Sequence, residues 1–67
     1  MDIENQAKKI AALVAEVDAD DRGNLFVLIG NQLRLEGQGL TGTLIRSIGF
    51  EYGVNPKKPG YPGYKSP

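Results

Sequence analysis

Apolar residues recur with a helical period at the start of the chain and lose that period in its middle. Ile3, Ala7, Ile10, Leu13 (with its neighbour Val14) and Val17 follow one another at three- and four-residue steps, which stacks them on one helical face. Gln6, Lys8, Lys9 and Glu16 fall opposite. Asp2 stands where an N-cap is wanted, and Glu4 puts negative charge at the positive end of the helix dipole. The pattern predicts an amphipathic helix over 2–19, stopped by the polar turn Asp18-Ala19-Asp20-Asp21-Arg22-Gly23-Asn24.

Residues 24–53 support two readings. As a helix capped by Asp20 or Asp21, Leu25, Leu28, Ile29, Gln32, Leu33 and Glu36 line up and Gly37 ends the segment. As a hairpin, the alternation in 31–36 leads through Gly37-Gln38-Gly39 into 44–52, where Leu44, Ile48, Phe50 and Tyr52 share a side and Arg46 interrupts them. Residue types favour the helix for 24–36, because Leu, Gln, Arg and Glu are good helix formers and β-branched residues are few. Phe26 joins Leu25 and Ile29 as candidate core or interface residues.

Glycines punctuate this region. Gly23, Gly30 and Gly37 are seven apart, as are Gly42 and Gly49, and the segments 30–37 and 42–49 look loosely alike. A seven-residue step in a helix returns to nearly the same face, leaving a flat line that a second backbone can approach. The default reading is less specific: nine glycines in 67 residues give some regular spacing by chance, or mark bulges and turns.

From Val54 onward the composition changes. Four prolines exclude helix and push their predecessors toward extended conformations, so Pro-Gly-Tyr-Pro-Gly-Tyr with its lysines reads as a solvated arm over 54–67. Lys57, Lys58, Tyr61, Tyr64 and Lys65 are its interaction candidates. The favoured use is contact with a neighbouring protein, with Tyr and Pro supplying apolar area at low entropy cost. Tracking a nucleic-acid backbone is the lesser reading, since three lysines are few for that task.

Composition narrows the function classes. The absence of Cys and His removes disulfides, thiolate metal sites and the side chains most used in acid–base catalysis at neutral pH. The turn beginning at Asp18 carries Arg22 and Ile29 where a calcium loop needs oxygen ligands. Gly37-Gln38-Gly39-Leu40-Thr41-Gly42 has phosphate-loop spacing without the βαβ unit that gives such spacing meaning. No enzyme, cofactor or metal is therefore expected. Met1-Asp2-Ile3-Glu4 is acidic where a secretory signal is basic, and Leu25–Ile29 is the longest apolar run, far below the roughly 20 residues of a membrane helix. The expected setting is the cytoplasm.

Thr41-Gly42-Thr43-Leu44-Ile45-Arg46-Ser47-Ile48 reads T-G-x-L-x-x-S-I. This stretch resembles one shared by tailed-phage virion-assembly proteins of the neck and tail-completion type. The resemblance implies a Thr-Gly turn feeding a strand near Phe50-Glu51-Tyr52. It also implies structural roles for Thr41, Gly42, Leu44, Ser47 and Ile48 in a ring-forming subunit.

Together these observations predict a mainly α chain. Residues 1–53 form a small domain of two helices and a short third element, and 54–67 form an extended arm; the alternative is α+β, a helix packed on a β-hairpin. Gly30, Gly37, Thr41, Gly42 and Gly49 are turn or packing positions. The expected function is non-catalytic protein–protein interaction, as a homo-oligomer or assembly subunit joined through the faces of Ile3, Ile10, Leu13, Val17, Leu25, Phe26 and Ile29. The alternatives are a small phage- or plasmid-encoded inhibitor or adaptor, and nucleic-acid binding through the arm. Formal charge sums to zero but is polarised: residues 1–21 carry two Lys and six acids, 22–56 three Arg and two acids, and 57–67 three Lys. Such a chain can pair head to tail with its own copies.

Overall fold

The computed structural model describes residues 2–65, so Met1, Ser66 and Pro67 lie outside the described residues. Three α-helices of 14 residues each follow one another: α1 (Ile3–Glu16), α2 (Arg22–Leu35) and α3 (Gly39–Tyr52). A single 3-10 turn, Ala19–Asp21, precedes α2. The described residues contain no strand, which decides the middle of the chain against the hairpin. The third element is a full-length helix rather than a short piece.

The helix ends follow local chemistry. Asp2 caps α1, its Oδ1 accepting from the Glu4 amide at 3.0 Å, as its position predicts. The α2 start differs: Asp21 occupies the N-cap position but its side chain makes no cap bond. Its Oδ2 instead lies 3.5 Å from Lys58 Nζ. At the other end Gly37 takes φ +85, the left-handed conformation of a helix stop. There the Gln38 amide donates to Leu33 O at 2.8 Å and the Gly37 amide to Arg34 O at 3.2 Å, a Schellman motif.

α2 and α3 form an antiparallel pair joined at their glycines. A Cβ built on Gly30 would sit 2.5 Å from Gly42 O, and one on Gly42 would sit 2.5 Å from Gly30 O. Toward the other end, a Cβ on Gly49 would lie 2.6 Å from Gly23 O, and one on Gly23 would run into the Gly53 carbonyl oxygen. The backbones therefore touch directly, and all four helical glycines of the seam are buried. Of the glycines spaced by seven, Gly23, Gly30, Gly42 and Gly49 form a packing line, while Gly37 serves as the stop of α2.

The crossing is reciprocal. Gly30-x-x-x-Arg34 on α2 faces Gly42-x-x-x-Arg46 on α3, and each arginine stem lies over the other helix's glycine. With seam positions taken by glycine, little side-chain core remains. Val27, 1% exposed, is the one buried large apolar residue among those described. Its Cγ2 covers Gly49.

Thr41 and Gly42 lie in the first turn of α3, where Gln38 holds the N-cap position. Phe50-Glu51-Tyr52 belongs to the same helix. The Thr-Gly turn and strand implied by the phage-type resemblance are thus a continuous helix here, because Gly42 serves the inter-helix contact.

Candidate interaction surfaces

The arm is neither extended nor free. Lys58 N donates to Asn55 O at 3.2 Å, Tyr61 N to Lys58 O at 3.4 Å and Tyr64 N to Tyr61 O at 2.9 Å, which makes three tandem turns sharing their end residues. Pro56, Pro59 and Pro62 take the second position of each turn. Gly60 (φ +100) and Gly63 (φ +80) take the third position of the last two, as type II turns require. Pro-Gly repeated every three residues therefore encodes a chain of turns, and this is the physical reason the extended reading fails.

One side chain fastens this coil to the helices. Asn24, 3% exposed, sits in the first turn of α2. Its Nδ2 donates to Asn55 O at 3.0 Å, Pro59 O at 2.9 Å and, more weakly, Lys58 O at 3.3 Å. Its Oδ1 accepts from the Asn55 amide at 2.8 Å. Only a carboxamide, with donor and acceptor in one plane, satisfies both halves of that set. Gly60 passes so close that its Cβ would stand 2.7 Å from Asn24 O. Asn55 Oδ1 in turn accepts from the Lys57 amide at 2.9 Å, closing the first turn.

The arm candidates divide accordingly. Lys58 reaches Asp21 at the surface, and Lys57 and Lys65 are exposed. Tyr61 is 42% exposed and Tyr64 half-buried, both over the α2–α3 pair. Tyr61 and Tyr64 line a cleft whose lining includes no lysine.

The helix-face candidates also divide. Ile3 (77% exposed), Ile10 (60%) and Leu13 (62%) stand in solvent, and α1 contributes no buried residue. It makes no extended packing with α2 or α3. Val17 is half-buried, and Arg22 Nε donates to Val17 O at 3.1 Å, holding the α1–α2 junction. Leu25, Phe26 and Ile29 are half-buried.

At roughly 100° per residue, Phe26, Ile29 and Leu33 of α2 and Ile45, Ile48 and Tyr52 of α3 fall on one side of the glycine seam. The arm occupies the other side. The Phe26 and Tyr52 rings meet edge to face across this surface, centroids 6.5 Å apart. Ile48 and Tyr52 are about half-exposed there, at 54% and 50%. The chain thus carries two apolar surfaces, one on α1 and one on the helical pair.

Ser47 Oγ, the one described serine, donates to Thr43 O at 3.0 Å within α3. No helix among the described residues is long and apolar enough to cross a membrane. No protein-family model, curated protein or solved structure matches the chain. The class that the fold defines is a mainly α, three-helix chain built on a glycine-packed helical pair.

Proposed function

We propose that this chain is a non-catalytic assembly subunit in which the α1 stripe of one copy packs on the Phe26–Tyr52 face of the next. The observation that carries the reading is the exposure of α1. A 14-residue helix is marginal in water on propensity alone, and in proteins such helices draw their stability from a packed apolar face. Here Ile3, Ile10 and Leu13 have no such packing within the chain.

Charge favours the helical pair of another copy over a second α1. Residues 1–21 carry two Lys and six acids, so two such segments repel. Residues 22–67 carry six basic and two acidic residues, so α1 is drawn toward them. A virion-type ring is the form of assembly that the Thr41–Ile48 likeness suggests.

Sedimentation velocity over a concentration series tests this. The wild-type chain should associate, and Ile10→Asp with Leu13→Asp should weaken association at least a hundredfold, since each buried aliphatic side chain is worth about 1.5–3 kcal/mol. A wild-type chain that stays monomeric at every concentration would remove the proposal. So would a double variant that associates as well as wild type.

A further inference from the structure

The arm side of the helical pair holds a second feature, across the glycine seam from the Phe26–Tyr52 face. We propose that the cleft between the arm and the α2–α3 crossing is an oxyanion site anchored by Arg46.

Arg46 is half-buried, and its Nε is fully enclosed without a hydrogen-bond partner. Its stem is pinned over Gly30, and its guanidinium stands 5.6 Å from the Phe50 ring centroid, so the head group is held in place before any ligand arrives. That Nε is closed to a ligand as it is to water, so an anion in the cleft meets the terminal guanidinium nitrogens, whose fork matches the paired oxygens of carboxylate and phosphate.

The surroundings suit an anion. Arg46, Asn31, Tyr61 and Tyr64 line an open cleft of about 440 Å³ together with backbone of the last two turns. Asn31 also lines the neighbouring concavity with Arg34, which places a second guanidinium-bearing side chain beside the first. No Asp or Glu lines either space, so nothing in them neutralises the arginines. The reciprocal crossing explains the pair: Arg34 and Arg46 each stand four residues after a seam glycine, and both leave on the arm side.

The shared chemistry is a compact oxyanion, and its source is either a free phosphate-type ion or a carboxylate of a neighbouring copy. The test is a 1H–15N titration of the full chain, read at the Arg46 Nε–H and Asn31 side-chain signals. Inorganic phosphate is added against sodium chloride of equal ionic strength, and a separate dilution series is run without phosphate.

A saturable shift with phosphate identifies a free anion, and a shift that tracks protein concentration at constant salt and persists in the Ile10→Asp, Leu13→Asp chain identifies a neighbouring carboxylate. Arg46→Gln keeps the Cγ that covers Gly30 and should weaken either response at least tenfold, read at Asn31. Arg46→Lys should restore part of it. Asn31→Asp, which adds a carboxylate beside both arginines, should weaken the response read at Arg46. The proposal is overturned if neither series gives a saturable shift, if chloride reproduces it, or if it survives Arg46→Gln in a chain whose circular dichroism matches wild type.

Discussion

At the scale of single residues, the glycines are not equivalent, and substitution by alanine separates their roles. Gly30→Ala and Gly42→Ala each drive a methyl into the facing backbone carbonyl, 2.5 Å away. Overpacking of this kind costs about 1–3 kcal/mol, against a helix-propensity gain of up to about 1 kcal/mol. Both variants should lower stability, and the facing backbone leaves less room to relax than a flexible side chain would. Gly39→Ala meets nothing within 4 Å at the start of α3 and should be neutral or stabilising by about 0.5 kcal/mol. Gly37→Ala is equally unobstructed but stands at φ +85, so it should cost about 1 kcal/mol through backbone strain alone. Chemical denaturation followed by circular dichroism ranks the four, and equal effects at Gly30 and Gly39 would contradict the seam.

Asn24 is the other residue whose loss should be felt. Asn24→Asp keeps the shape but turns the donor that serves three carbonyls into an acceptor facing them. It should cost about 2–4 kcal/mol, more than Asn24→Ala. Part of that loss should appear as release of the arm, seen as faster trypsin cleavage after Lys57 and faster hydrogen exchange at the Asn55 amide. Nothing in the sequence pattern marks Asn24, because its partners lie more than thirty positions away. The one hint is a carboxamide placed just ahead of the apolar run Leu25–Ile29.

At the scale of elements, legibility tracked what each helix packs with. α1 follows the amphipathic rule, and its cap and phase are readable because its apolar residues mark one face. α2 and α3 defeat that rule. Their mutual contact is made by Gly23, Gly30, Gly42 and Gly49, so their apolar residues report other surfaces and show little periodicity toward the partner helix. The strand-like alternation of Leu44, Ile48, Phe50 and Tyr52 arises in this way. Arg46, which breaks it, lies on the arm side of the seam with its stem over Gly30.

The arm departs from its sequence pattern for a different reason. Proline forbids helix but also starts a turn, and Pro56-Lys57, Pro59-Gly60 and Pro62-Gly63 centre three turns in register that make a compact coil. Of the cleft residues, Asn31 reads in the sequence only as the start of an alternating run and Arg46 only as a break in another, since the arm beside them is placed by Asn24.

At the scale of the whole molecule, stability and function meet in one shortage. A chain of 67 residues buries a smaller share of its surface than a larger domain does, and this one gives its closest internal contact to glycine backbones. What a side-chain core would hold is displayed instead on α1 and on the Phe26–Tyr52 face. Association should therefore rest on apolar burial with an electrostatic component from the acidic first segment and the basic remainder. Raising salt from about 0.05 to 0.5 M should weaken it several-fold without abolishing it. Sedimentation at the two salt concentrations checks this, and complete dissociation in salt would assign the contact to charge alone.

The most direct test of self-association is an isotope-filtered nuclear Overhauser experiment on a mixture of labelled and unlabelled chains. Contacts between chains are predicted from the methyl groups of Ile3, Ile10 and Leu13 to the Phe26 and Tyr52 rings and the Ile48 methyls. An α1 that is helical in a monomeric chain and shows no contact between chains would contradict the account.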